Sequence, residues 1–182
     1  MSLIRIATAS TRCALAEPNT ILVLGVGNLV RRDEGFGVHV IHHLAEHFQT
    51  SPNVTLLDGG TAGVALLDAI LACNHLIMID VARQDAAPGT LSRLDGAALS
   101  YMFKAKQSAH DWGLSEILLQ ARLLGHAPKV VIIAAEPQDM DSWSDDLTPL
   151  LASRVPEAVA MTVAEVEAAG GVLLPVGFPT TE

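Results

Sequence analysis

Residues 21–37 read ILVLGVGNLVRRDEGFG, and this stretch decides the fold. Ile21–Leu24 is wholly apolar and ends on Gly25-Val26-Gly27-Asn28. A short apolar run followed by a glycine turn and an amphipathic pattern reads as a doubly buried strand leading into a helix. Such strands belong to parallel sheets covered on both faces. Outward from it, strands are predicted at Thr20–Leu24, Val54–Leu57, His75–Ile79, Thr90–Leu94 and Lys129–Ala134. Helices are predicted at Glu34–Phe48, Ala62–Cys73, Gly96–Phe103, Leu114–Leu124 and Thr148–Ala169. The alternation predicts an α/β fold of three layers, a mostly parallel, twisted five-stranded sheet with helices on both faces. Thr90–Leu94 follows Pro88-Gly89 with no crossover helix before it, so it is predicted as an antiparallel edge strand. Gly125 suits a helix stop, Thr148-Pro149 an N-cap and first helical residue, and Pro156 a break or kink in the last helix.

The chain has 182 residues, enough for one domain with a large core. That domain is predicted over 20–171, with a flexible leader at 1–19 and a tail at 172–182. Half the residues are hydrophobic and 17% are charged, the balance of a globular protein. A net charge of −9 counts against nucleic acid and anionic membrane as partners. No apolar run reaches membrane-spanning length. The two cysteines, Cys13 and Cys73, form no CxxC and no disulfide framework, which fits a reducing cytoplasm. Cys73 closes an apolar run and reads as a small buried hydrophobe.

In an open parallel sheet, ligands bind beyond the carboxyl ends of the strands. The first strand is followed there by Gly25, Gly27, Asn28, Asp33 and Glu34, the second by Asp58-Gly59-Gly60-Thr61, and the third by Asp80. His110 precedes the fourth helix. Right-handed crossovers from a central first strand give the order 2-1-3, with strand ends about 5 Å apart. Glu34, Asp80 and His110 are therefore expected to converge. Two carboxylates and one imidazole form an oxygen/nitrogen set with open positions, suited to Ni²⁺ or Zn²⁺ and lacking the thiolates of a structural zinc site. Without a cation, such a cluster of acids repels itself.

A nucleotide is the competing ligand for a glycine turn. Gly25-x-Gly27-x-x-Val30 lacks the third glycine of a dinucleotide fingerprint, although Asp58 stands where a ribose-binding acid belongs. Asp33 and Glu34 would repel a pyrophosphate at the helix N-terminus. A Rossmann-like dinucleotide-binding oxidoreductase is thus the alternative. In the first helix Phe36, Gly37, Ile41, Leu44 and Phe48 form the apolar stripe. His39, His43 and Glu46 lie opposite, so the row His39, His42, His43 and His47 reads as a solvated face. There is no G-x-S-x-G elbow and no H-E-x-x-H motif.

Taken together, LVLGVGN (22–28), DEGFG (33–37), LDGGTAG (57–63), HLIMID (75–80) and HDWGL (110–114) resemble the [NiFe]-hydrogenase maturation endopeptidases, in order over roughly residues 20–170. The resemblance implies a hydrolase, aspartyl peptidase-like, that removes the C-terminal extension of the hydrogenase large-subunit precursor after nickel insertion. It places Glu34, Asp80 and His110 on the family's metal-binding residues and Asp58 on an acid considered catalytic. It implies nickel carried by the substrate, with zinc or cadmium able to occupy the site in vitro. The metal either polarises the reacting groups or only anchors the substrate while Asp58 acts as base, with the Gly59-Gly60 backbone holding the chain or an oxyanion. A monomeric cytoplasmic enzyme is expected. A non-catalytic nickel recognition module on the same fold is the third reading. The pattern breaks after the last strand, where Ala134-Ala135-Glu136-Pro137-Gln138 and then Trp143 replace the glycine and Gln-Pro-like pair frequent in relatives.

Overall fold

The structure, a computed structural model, describes residues 19–95 and 109–177, with the backbone alone at 109–115. The helix expected at 96–103, and Cys13, lie outside the described residues. The central strand is β1 (Ile21–Val26). Strand β2 (Phe48–Thr50) is short, and β3 (Val54–Gly60) lies on one side of β1. On the other side come β4 (His75–Val81), then β6 (Lys129–Ala135), with β5 (Leu91–Asp95) at the edge. The order β3-β1-β4-β6-β5 contains the expected 2-1-3 arrangement. All neighbours are parallel except β5, which pairs antiparallel with β6 as its missing crossover required.

Alternate residues of the buried strands feed two cores. Ile21 and Val23 face Val40, Ile41 and Leu44 of α1 (Phe36–His47), together with Ala158, Val159 and Val166 of a later helix, α5 (Val155–Ala168). Leu22 and Leu24 face Leu66 and, in α2 (Leu67–Leu71), Ile70. Ile117 and Ala121 of α3 (Ala109–Leu123) complete that second core. This period of two explains why the strands read as continuous apolar runs.

Several boundaries differ from the sequence reading for local reasons. Glu34 does not open α1. It lies in a 3₁₀ turn, Arg32–Gly35, whose Glu34 N–H donates to the Arg31 carbonyl at 3.1 Å. The second helix is also split, into a 3₁₀ turn at Gly63–Leu66 and α2. It must end there because Asn74 N–H is drawn to the Thr20 carbonyl (2.9 Å) to start β4. The last helix is broken into α4 (Pro149–Ala152) and α5, with Pro156 in the first turn of α5. Thr148 caps α4, its side chain accepting the Leu151 N–H. Gly125 adopts φ +82 just after α3, as a helix stop requires. Finally, β2 pairs antiparallel with β7 (Leu173–Pro175) in a separate two-stranded sheet.

One glycine decides how closely α1 approaches the sheet. A Cβ on Gly37 would overlap the Ile79 carbonyl oxygen and come within 2.5 Å of the Val26 carbonyl. Gly37 thus does what the third glycine of a dinucleotide fingerprint does, seating the helix directly on β1 and β4.

Candidate active site

The geometry starts at Gly27, which follows β1 with φ +135, a conformation closed to side chains. A Cβ there would collide with the Glu34 carbonyl oxygen. The glycine makes room for the protein's own backbone. The lack of a Cβ lets the Glu34 backbone approach this turn, and Glu34 is 8% exposed. Its Oε2 lies 3.7 Å from the Arg31 Nε. Gly27→Ala is expected to lower the unfolding free energy, read by urea denaturation, by more than the roughly 1–3 kcal/mol of local backbone strain, because the clash with the Glu34 carbonyl adds to it.

Asp33 has a different role from its neighbour. It is fully buried and accepts four hydrogen bonds. Oδ2 takes the N–H groups of Gln138 (2.9 Å) and Asp139 (2.8 Å) and the Thr148 hydroxyl (3.1 Å). Oδ1 takes the Thr148 N–H at 2.8 Å. Backbone bonds add to the clamp, from Asp33 N–H to the Asp139 carbonyl, from Arg32 N–H to the Ser144 carbonyl, and from Ser144 N–H to the Val30 carbonyl. The segment after β6 is thereby fastened over the turn that carries Glu34. Within it, hydrogen bonds from the Ser142 hydroxyl and N–H, then from Asp141 N–H, hold the Asp139 carboxyl below the usual carboxylate range. Asp139 faces Arg32 at 3.7 Å. Trp143, 76% exposed, stands outermost with the Arg31 guanidinium 5.6 Å from its ring centroid.

Asp80 is the penultimate residue of β4 and pairs in register with Ala134 of β6. Its Oδ1 accepts the Val81 N–H at 2.7 Å. Since Gly37 rests on the Ile79 carbonyl, the 3₁₀ turn bearing Glu34 lies over this end of β4. His110 is the second residue of α3. The C-terminal end of α3 leads to the start of β6, where His126 Nε2 meets the Cys73 carbonyl (2.7 Å) and Lys129 N–H the Asn74 carbonyl (2.8 Å). The N-terminal end of α3, and His110 with it, therefore lies toward the carboxyl ends of the strands. Its side chain lies outside the described residues. Among the described residues alone, no three His, Cys, Asp or Glu are placed to hold a metal ion.

Asp58 ends the regular pairing of β3, opposite Gly25. The carboxylate is accessible, 42% exposed. Its Oδ1 accepts the Gly60 N–H at 3.0 Å. That N–H is engaged by Asp58. Oδ2 lies 2.8 Å from Nε2 of His42. The histidine row of α1 is therefore more than a solvated face. His39 Nε2–H donates to the Asp145 carbonyl (3.1 Å), and the His43 and His47 rings stack 4.3 Å apart. The residue that sequence reasoning missed is His42. The signal was faint, since α1 links β1 to β3 and one flank must pass the end of β3.

A cysteine nucleophile finds no support among the described residues. Burial pushes the Cys73 thiol up to about 11, and the group packs in the second core as expected. No described helix is long and apolar enough to cross a membrane.

A family model described as hydrogenase maturation protease matches residues 38–165, a span that includes Asp58, Asp80 and His110. The chain belongs to the hydrogenase maturation protease family. It is 37% identical over 145 residues to the hydrogenase expression/formation protein HupD of Thiocapsa roseopersicina, covering 79% of this chain and 66% of that protein. To the hydrogenase 2 maturation protease of Escherichia coli it is 32% identical, over 85% of this chain and 95% of the relative. The structure of the E. coli hydrogenase maturating endopeptidase HybD superposes with a TM-score of 0.81, at 32% identity, over 86% of this chain and 98% of that one. In this maturation protease the twisted, mostly parallel sheet is the family fold, and the family's members are endopeptidases.

Proposed function

We propose that this protease cleaves the C-terminal extension from the precursor of a hydrogenase large subunit once nickel has been inserted, acting as a monomer in the cytoplasm. The observation that supports the reading is the placement of acids at the carboxyl ends of three neighbouring strands. Glu34 lies in the turn after β1, Asp80 is the penultimate residue of β4 on one side of β1, and accessible Asp58 lies near the end of β3 on the other. The unpaired thiol of Cys73 fits a reducing compartment.

The donor set suits the cargo. Carboxylate oxygens from Glu34 and Asp80 and an imidazole nitrogen from His110 are hard-to-borderline ligands that leave coordination positions for the substrate's own groups. Zinc or cadmium would fit the same donors in vitro. The nickel carried by the precursor docks there and aligns the scissile bond. Asp58 then serves as general base on a water molecule. The water oxygen bonds to the scissile carbonyl carbon as its proton passes to Asp58. The C–N bond then breaks, and the proton leaves Asp58 for the departing amine. Trp143 and Val30, both exposed beside the Glu34 turn, offer the precursor an apolar rim.

Glu34→Gln tests the docking. Loss of an outer-shell partner typically costs metal sites about 10–100-fold in affinity, and loss of a ligand is expected to cost at least that. Calorimetric titration with Ni²⁺ reads the affinity, and cleavage of loaded precursor reads the consequence. Unchanged affinity together with full activity would remove Glu34 from the ligand set.

A further inference from the structure

The pair formed by His42 and Asp58 belongs to no part of the nickel-docking set. An ionised carboxylate only accepts hydrogen bonds, so Nε2 of His42 carries the hydrogen and donates it to Oδ2 at 2.8 Å. The Gly60 N–H holds the other oxygen at 3.0 Å. Two donors on opposite oxygens fix the rotation of the carboxyl plane. Of its roughly four acceptor sites, two remain for water.

The donor is itself rigidly mounted. His42 sits on α1 directly beside Ile41, 3% exposed, and two residues before fully buried Leu44. The imidazole therefore projects from an anchored helix rather than from a loop. As a stabilising contact the pair is minor, because both side chains are nearly half exposed and such pairs contribute about 0–1 kcal/mol. What the pair does control is the aim of an accessible carboxylate at the edge where the scissile bond is proposed to lie.

We propose that His42 is a positioning residue for the peptidase reaction, holding Asp58 in the single orientation from which it accepts a proton from water. The inference rests on the reading of Asp58 as general base. It assigns to a histidine of the first helix a role that the ligand set does not require.

The test is steady-state cleavage of nickel-loaded precursor by wild type, His42→Ala and His42→Gln, with thermal unfolding of each as a control. His42→Ala is expected to lower kcat about 10-fold while leaving KM and the melting temperature unchanged, as loss of aim at a reacting group does. His42→Gln, whose Nε2–H reaches a similar position, is expected to recover most of the rate. A wild-type kcat in His42→Ala, a change confined to KM, or no recovery in His42→Gln would each overturn the inference alone. A wild-type protein that fails to cleave loaded precursor overturns the peptidase reading, and the role of His42 with it.

Discussion

Asp33→Ala is expected to destabilise the protein by about 3–5 kcal/mol, because several hydrogen-bond donors lose their common acceptor at once. The variant leaves the N–H groups of Gln138, Asp139 and Thr148 and the Thr148 hydroxyl facing an empty space. An orphaned donor costs roughly 1–3 kcal/mol where it is buried, as at Thr148, and less at part-buried Gln138 and Asp139, where the segment can relax toward water. Relaxation has its own consequence. The segment after β6 would lift from the turn that carries Glu34, so activity should fall even where the fold survives. Asp33→Asn is expected to be milder, since its amide oxygen can still accept while its NH₂ opposes one donor. Urea denaturation measures the loss, and equal stability of Asp33→Ala and wild type would show that the clamp adds nothing.

Asp58→Asn is expected to lower the single-turnover rate of precursor cleavage by about 10²–10⁴-fold, the contribution typical of a positioned general base. Its stability should be almost unchanged. The carboxylate is accessible, and its partners are its own turn and an exposed histidine. Nickel affinity should also be unaffected, because Asp58 lies across β1 from β4 and its Asp80. The combination of lost rate, retained fold and retained metal binding separates a base from a ligand. Undiminished single-turnover cleavage would remove Asp58 from the reaction.

The sheet was legible because its strands are buried on both faces. Ile21–Leu24 and His75–Ile79 read as apolar runs, since successive residues enter opposite cores. Thr90–Leu94 was legible as an edge strand from its flanking turns. What stayed hidden are pairings between distant segments with no periodic signal. Asp33 and Thr148 meet across 115 residues of chain, and the acid looks like any other near a helix start. The three-residue strands Phe48–Thr50 and Leu173–Pro175 pair although they are far apart in sequence and too short to carry a periodic signal. In the site, topology alone could bring Glu34 over β4, because a right-handed crossover fixes where α1 begins. It could not place Gly27 beneath the Glu34 carbonyl, or His42 beside Asp58. Both depend on how closely Gly37 lets the helix sit on the sheet.

In the proposed mechanism, cleavage waits for nickel. Mass spectrometry of a large-subunit precursor incubated with this protein, once nickel-loaded and once nickel-free, measures that claim. Loss of a C-terminal fragment from the loaded precursor and an intact mass for the nickel-free one are expected. Equal fragment loss from both, or binding of the loaded precursor with no loss at all, would contradict it.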